Sequence, residues 1–204
     1  MMPGFSQTLT LQAGTSVSKI NWTNSMTHDQ VFTEPVIGPN VSLGLEYLDF
    51  RYFNLYSGLS FIQKGGTGTI SVIDATDPEV ASETTINCRF NYISVNTLFK
   101  AKLPIGKVVV PFIQAGPRLD YLLSYSEKYE LVGQFADIGQ LNKLSYGAQV
   151  GVGIEFVINR FKAGAVFDYL WNFNKLVDYT SEMNVKNQLT DQTFLVNLLA
   201  GYRF

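Results

Sequence analysis

Charge is scarce in this chain: 16% of its 204 residues are Asp, Glu, Lys or Arg, against about 25% in an ordinary soluble domain. So few charges cannot cover a wet surface of normal polarity. The formal net charge is −2 and the lysines and arginines form no block, which excludes the broad attraction that nucleic acid requires. Cys88 is the single cysteine, so an intramolecular disulfide and a thiolate metal centre are both excluded. No run of about eighteen apolar residues occurs, which excludes a transmembrane helix. The opening "MMPGFSQ" lacks the basic start and apolar core of a secretory signal. For an exported protein the expectation is then a signal removed from, or missing in, this sequence.

What is abundant is alternation. In "FSQTLTLQAGTSVS" Leu9, Leu11, Ala13 and Val17 share one parity, and Thr8, Thr10, Gln12, Gly14 and Ser16 the other, the period of a β-strand. "NVSLGLEYL" sets Val41, Leu43, Leu45 and Tyr47 against Ser42, Gly44 and Glu46. "YFNLYSGLSFIQK" and "NYISVNTLFKAKL" repeat the pattern, with Asn54, Ser60 and Lys64, then Ser94, Asn96 and Lys100, on the polar side. "VVVPFIQAGPRLDYLL" is less regular, because its two prolines cannot donate to a ladder. "LSYGAQVGVGIEF" and "FKAGAVFDYLWNF" alternate cleanly, and "FLVNLLAGYRF" does so from Phe194 to Phe204. This makes eight strands.

The connections alternate too. Long ones run roughly from Ile20 to Pro39, Gly65 to Asn87, Ser124 to Lys143 and Asn174 to Asp191, and short turns lie at "DFR", "PIGK" and "INR". Long loops at one end and tight turns at the other, around an even number of strands, is the plan of an outer-membrane barrel. The expectation is a single domain over residues 1–204: an all-β, eight-stranded, antiparallel, up-and-down transmembrane β-barrel with a polar, plugged lumen.

The competing assignment is a soluble ligand carrier with the apolar parity inside. Volume argues against it. Eight strands leave an interior just wide enough for side chains to fill, and the apolar parity is crowded with Phe, Tyr, Trp and Leu. The polar parity instead carries glycines such as Gly14, Gly44, Gly58, Gly147, Gly151, Gly153 and Gly164, which make room for long charged side chains. Glu46, Lys100, Arg118, Asp120, Glu155, Lys162, Asp168 and Arg203 then point inward as a lumen charge network. Unpaired, each would cost several kcal/mol, so pairing is expected; a proton or ion path is the alternative use. Tyr47, Phe53, Phe161, Tyr202 and Phe204 fall near the tight turns, and Phe61, Tyr121, Tyr146, Tyr169, Trp171 and Phe173 near the loops. Two such girdles mark two membrane interfaces.

The segments "GLSFIQKG", "NYISVNTLFKAKL", "PFIQAGPRLDYLLS", "GAQVGVGIEF" and "AGYRF" resemble the PorT-like outer-membrane beta-barrel proteins over nearly the whole chain. Lys100 matches the inward lysine of that family, and Ala115, Gly116 and Pro117 its "AGP"; Ser94 and Asn96 depart from its acid and proline. The resemblance implies the bacterial outer membrane, with the lipid bilayer as the first partner. The terminal strand, with Tyr202 and Phe204, also resembles the signal read by the barrel-assembly machinery, which is the second.

Catalysis finds little support. The one histidine, His28, lies with Ser25 and Asp29 in the first long connection, but sequence neighbours do not make a triad. "GVGIEF" has no strand-to-helix context for a dinucleotide. "DATDPE", Asp74 to Glu79, lacks the regular ligand pattern of a calcium loop. The expectation is therefore no enzyme, no cofactor and no metal, in a monomer whose role is structural or binding. The long loops, with apolar patches such as "VFTEPVIG" and "ELVGQFADIG", would then meet a surface protein or external ligand. Narrow-pore transport and membership of a secretion or motility assembly stay as alternatives.

Overall fold

The computed structural model describes residues 7–24, 32–73, 81–106, 108–128, 141–180 and 186–204. Among these residues nine strands form one antiparallel sheet: β1 (Thr8–Asn24), β2 (Glu34–Tyr47), β3 (Phe53–Ile73), β4 (Ala81–Lys102), β5 (Val109–Lys128), β6 (Leu144–Ile158), β7 (Phe161–Asn172), β8 (Val177–Thr180) and β9 (Lys186–Arg203). From β1 to β7 neighbours in sequence pair in turn, β7 pairs β9 from Phe161↔Tyr202 to Leu170↔Thr193, and β1 pairs β9 from Thr8↔Arg203 to Asn24↔Asn187. That last ladder closes the sheet. β1 to β7 and β9 are the eight staves of a barrel, and closure leaves no free edge in lipid. β8 is a short addition that pairs β9 above the end of β7, at Val177↔Leu189 to Thr180↔Lys186.

The tight turns follow from local chemistry. Asn159 takes a left-handed backbone (φ 56°) between β6 and β7, and Gly106 does so (φ 66°) between β4 and β5; these are residue types that enter this region readily. Two interruptions of the ladders fall at prolines, and a register shift between β4 and β5 at Asn91 and Tyr92 does not. The β2–β3 ladder shifts register between Pro35 and Asn40. The β4–β5 ladder passes from Asn96↔Arg118 to Phe99↔Ala115, skipping Pro117, whose nitrogen has no hydrogen to give.

Strand length corrects the expected loops. About 9–11 residues suffice to cross a bilayer as a tilted strand, yet β3 has 21 residues and β4 has 22. The connections expected from Ile20 to Pro39, Gly65 to Asn87, Ser124 to Lys143 and Asn174 to Asp191 are in large part strand: β1 continues to Asn24, β3 to Ile73, β4 begins at Ala81, β5 continues to Lys128, and β8 with the start of β9 occupies the fourth. The barrel thus rises well past the membrane on the long-connection side. Ser25, His28, Asp29, Asp74 to Glu79 and the segment "ELVGQFADIG" lie outside the described residues.

The outer wall in the membrane zone is apolar and open to lipid. Leu198 is 73% exposed and Ile37 66%. Aromatic pairs sit at both ends of this belt, Phe161 with Tyr202 at the tight turns, and Trp171 and Tyr146 with Phe173 at the other end.

Candidate functional site

The inward parity of each strand stacks into layers. At the tight-turn end, Lys100 Nζ lies 2.7 Å from Glu46 Oε1 and also pairs with Glu155. Lys162 pairs with Glu46 and lies 3.9 Å from Glu155 Oε2. Asn54 Nδ2 donates to Glu46 Oε2 at 3.1 Å, and the Lys100 ammonium sits 3.9 Å from the Phe112 ring centroid. Two carboxylates and two ammonium groups from β2, β4, β6 and β7 thus meet in one buried cluster.

Above it the lumen holds no salt bridge among the described residues, and its hydrogen-bonded polar side chains share the space with buried Leu98, Val166 and Leu199. Tyr56 lies across the barrel, its hydroxyl 2.9 Å from Ser42 Oγ. Its ring occupies the space a side chain at Gly44 would need and crowds Gly58, so glycine there admits the tyrosine. Asn96 donates to Gln149 at 2.8 Å, Asn40 to Asn197 at 2.7 Å and Gln114 to Asp168 at 2.7 Å.

A second charged layer follows. Lys64 Nζ lies 3.0 Å from both Asp120 Oδ2 and Asp191 Oδ2, and 4.9 Å from the Tyr92 ring centroid. Arg118 pairs with Asp120 and donates to Asn172, which donates in turn to Asp191.

The network therefore differs from the one drawn on the sequence. Glu46, Lys100, Glu155 and Lys162 form one cluster, while Arg118 and Asp120 belong to the other with Lys64 and Asp191, which the sequence reading left out. Lys64 was legible, since it shares the parity of Asn54 and Ser60; Asp191 fell one residue before the assumed start of the last strand. Asp168 makes no salt bridge among the described residues and relies on Gln114. Arg203 is not in the lumen at all. It lies at the tight-turn rim, where it and Lys102 both pair with Asp49.

Beyond Lys64 the interior changes character. Ile20, Trp22, Phe32, Ile86, Cys88, Phe90, Leu122, Leu176, Val177 and Leu189 pack with Tyr92 into one buried apolar core. Outward residues at the same height are polar: Lys19, Asn21, Thr67, Thr69, Asn87, Arg89 and Asn91. The parity has reversed. Along β4, Ile93, Val95 and Phe99 face out with Ser94, Asn96 and Lys100 inside, whereas Ile86, Cys88, Phe90 and Tyr92 face in with Thr85, Asn87 and Arg89 outside. A membrane barrel carries a water-soluble barrel on top of it. Among the described residues, no group of three His, Cys, Asp or Glu side chains is placed to hold a metal ion.

Comparison with known proteins agrees with this architecture. The family described as outer membrane protein beta-barrel domain matches residues 5–178. Neisserial surface protein A (NspA) has a solved structure similar to this one, with a TM-score of 0.53 at 13% identity, covering 96% of this chain and 97% of that one. The outer membrane protein OprG from Pseudomonas aeruginosa gives a TM-score of 0.56 at 8% identity, covering 98% and 96%. At such identities the likeness is one of fold. No curated protein matches the sequence. A closed antiparallel barrel with a lipid-facing belt, matched over most of its length by that family, belongs to it: the chain is a member of the outer membrane protein beta-barrel domain family, seated in the bacterial outer membrane.

Proposed function

We propose that this protein is a sealed envelope barrel that presents its outer hairpins for binding, with neither a pore nor a catalytic centre. The observation that carries this reading is the pair of successive seals in the lumen. A solute would have to separate the buried ion pairs around Glu46 and Lys64, and then cross the packed side chains of Phe90, Tyr92 and Leu122. Separating a buried pair costs about 3–5 kcal/mol when one partner is lost. The outer section, by contrast, offers polar strand surface well beyond the bilayer, the place where a scaffold carries recognition. Its partner is a surface protein or external ligand. Kinship with the PorT-like group is the finer family reading, supported by the segments quoted above; with it comes the alternative of a part in a secretion or motility assembly. Delivery by the barrel-assembly machinery is supported by the alternating last strand, on which Tyr202 and Phe204 face outward.

Planar-bilayer recording tests the seal: the folded chain is expected to give no conductance steps, and reproducible steps would favour narrow-pore transport. Trimming the β3–β4 hairpin between Gly68 and Ile86, followed by pull-down from intact envelopes, tests binding. A partner held by the full chain and lost from the trimmed one is expected. Identical recoveries would reduce the role to envelope structure.

A further inference from the structure

The lipid-facing wall is not uniform. Across β4 to β7 its aromatic and branched side chains leave a groove of about 480 Å³. Ala101 and Ala115 provide its low floor, and Phe99, Phe167 and Tyr169 stand around it. The volume falls within the range of about 300–1,000 Å³ typical of small-molecule sites. The groove lies toward the tight-turn half of the belt: on β4 its residues Phe99 and Ala101 follow Ile93 and Val95 and lead to Leu103. A second depression of about 320 Å³ shares Ala101 and Ile113 with it and extends to Leu103 and Pro111. A third, of about 310 Å³, shares Lys102 with the second and opens at the barrel mouth.

This third pocket is charged. Lys162 and Glu155 on its wall already belong to the lumen cluster. The rest of its charge is Arg51, Lys102 and Arg203 against Asp49 alone, an excess of two positive charges. Asp49 is shared by Lys102 and Arg203, and among the described residues Arg51 is held against the Tyr52 ring alone, 5.2 Å from its centroid. Arg203 Nε is buried with no hydrogen-bond partner among the described residues. An apolar track that begins in lipid thus ends at an unsatisfied cationic mouth, at the level where the headgroups of the tight-turn leaflet lie.

We infer that this wall is a site for one anionic phospholipid of the periplasmic leaflet, with an acyl chain in the Ala101–Ala115 groove and the phosphate at Arg51 and Arg203. Neutral lipid would fill the groove equally well but leave the mouth uncompensated. A second copy of the chain would cover the groove without supplying the anion. The inference does not depend on what the outer hairpins bind, so it stands or falls separately from the proposed function.

Native mass spectrometry of the folded chain tests it, after equilibration in detergent with equal amounts of dioleoylphosphatidylglycerol and dioleoylphosphatidylcholine. The expected result is one retained lipid with a preference for phosphatidylglycerol of roughly fivefold per engaged cation. Arg51→Gln should lower that preference about fivefold while leaving retention of phosphatidylcholine unchanged. Ala115→Phe, which fills the groove from the lipid side, should remove retention of both lipids. Both variants must keep heat-modifiable gel mobility, so that a folding failure is recognised; Ala101→Phe replaces Ala115→Phe if it does not. Equal retention of the two lipids by the unaltered chain, unchanged retention in the filled variant, or a lipid-free dimer would each overturn the inference.

Discussion

On β4 the ten positions from Ile93 to Lys102 and the eight from Thr85 to Tyr92 obey opposite rules. In the first stretch Ile93, Val95 and Phe99 face out and Ser94, Asn96 and Lys100 line the lumen, with Leu98 the apolar exception; in the second, the lumen side is Ile86, Cys88, Phe90 and Tyr92, and the outside is Thr85, Asn87 and Arg89. β1 makes the same exchange between Ser18 and Ile20. The two-residue alternation of β4 runs straight through the boundary, although its ladder to β5 shifts register between Asn91 and Tyr92; what changes is the solvent. In lipid the burial of apolar area gives no drive toward the lumen, so the lumen is held by ion pairs and hydrogen bonds. In water the ordinary hydrophobic effect returns, at about 25 cal/mol per Å² of apolar surface, and the interior becomes a core. The two sections should therefore fail in different ways.

The largest effect is expected in the lower section. Glu46→Ala leaves Lys100 and Lys162 without their shared carboxylate, and should destabilise the folded barrel by about 3–5 kcal/mol. Urea titration in lipid vesicles, read by gel mobility with and without boiling, measures it. A loss under about 1 kcal/mol would mean that water screens the lumen charges, and the contrast between the sections would collapse to one of wall polarity.

The wall itself is probed by placing the same side chain at two heights. Leu198→Arg puts a guanidinium in the lipid belt and should cost about 2–4 kcal/mol. Thr85→Arg, on the outward face of the upper section where Arg89 already sits, should stay within about 0.5 kcal/mol. Equal costs would place the two positions in the same medium and erase the boundary. Ile86→Val, in the upper core, is smaller still at about 0.5–1.5 kcal/mol. It should speed amide exchange in β3 and β4 above Tyr92 while leaving that of β6 and β7 unaltered, because local opening there need not unfold the membrane section.

This boundary also explains what the sequence conveyed and what it hid. Period two was plain in every stave, and the volume argument oriented the faces, since Phe, Tyr and Trp do not fit inside eight strands. Reading each strand with a single parity rule, however, ended β4 at Asn91. Ile86, Cys88 and Phe90 share parity with Ser94 and Lys100, so the alternation seemed to stop where only the solvent had changed. The same rule kept β3 from passing Lys64 and hid β8. It misplaced charges at the ends as well: Arg203 has lumen parity, but it is the last residue of β9, where a long side chain can turn to Asp49 at the rim. Asp168 is a different case. Nothing in its spacing distinguishes a carboxylate paired with a cation from one held by Gln114, because that depends on shear between staves and not on order along one.

The two tryptophans report on the two sections without loading either. Trp171 stands on the outer wall at 59% exposure beside Phe173, whereas Trp22 is 6% exposed inside the upper core. In vesicles of brominated phospholipid, Trp22→Phe isolates Trp171, whose emission should be strongly quenched, with most effect from bromines near the headgroup because it lies at the loop-side girdle. Trp171→Phe isolates Trp22, which should emit at short wavelength and ignore the brominated lipid. Blue emission alone does not separate the two, since lipid and a protein core are both apolar; contact with bromine does. Quenching of Trp22 would put the upper section in the bilayer, and the polar outward residues Asn87, Arg89 and Asn91 would then face lipid at a cost their neighbours cannot offset. Silence from Trp171 would instead mean that the apolar belt is covered by protein, as in an oligomer, and the groove beside Phe167 and Tyr169 would be the first surface to examine for the contact.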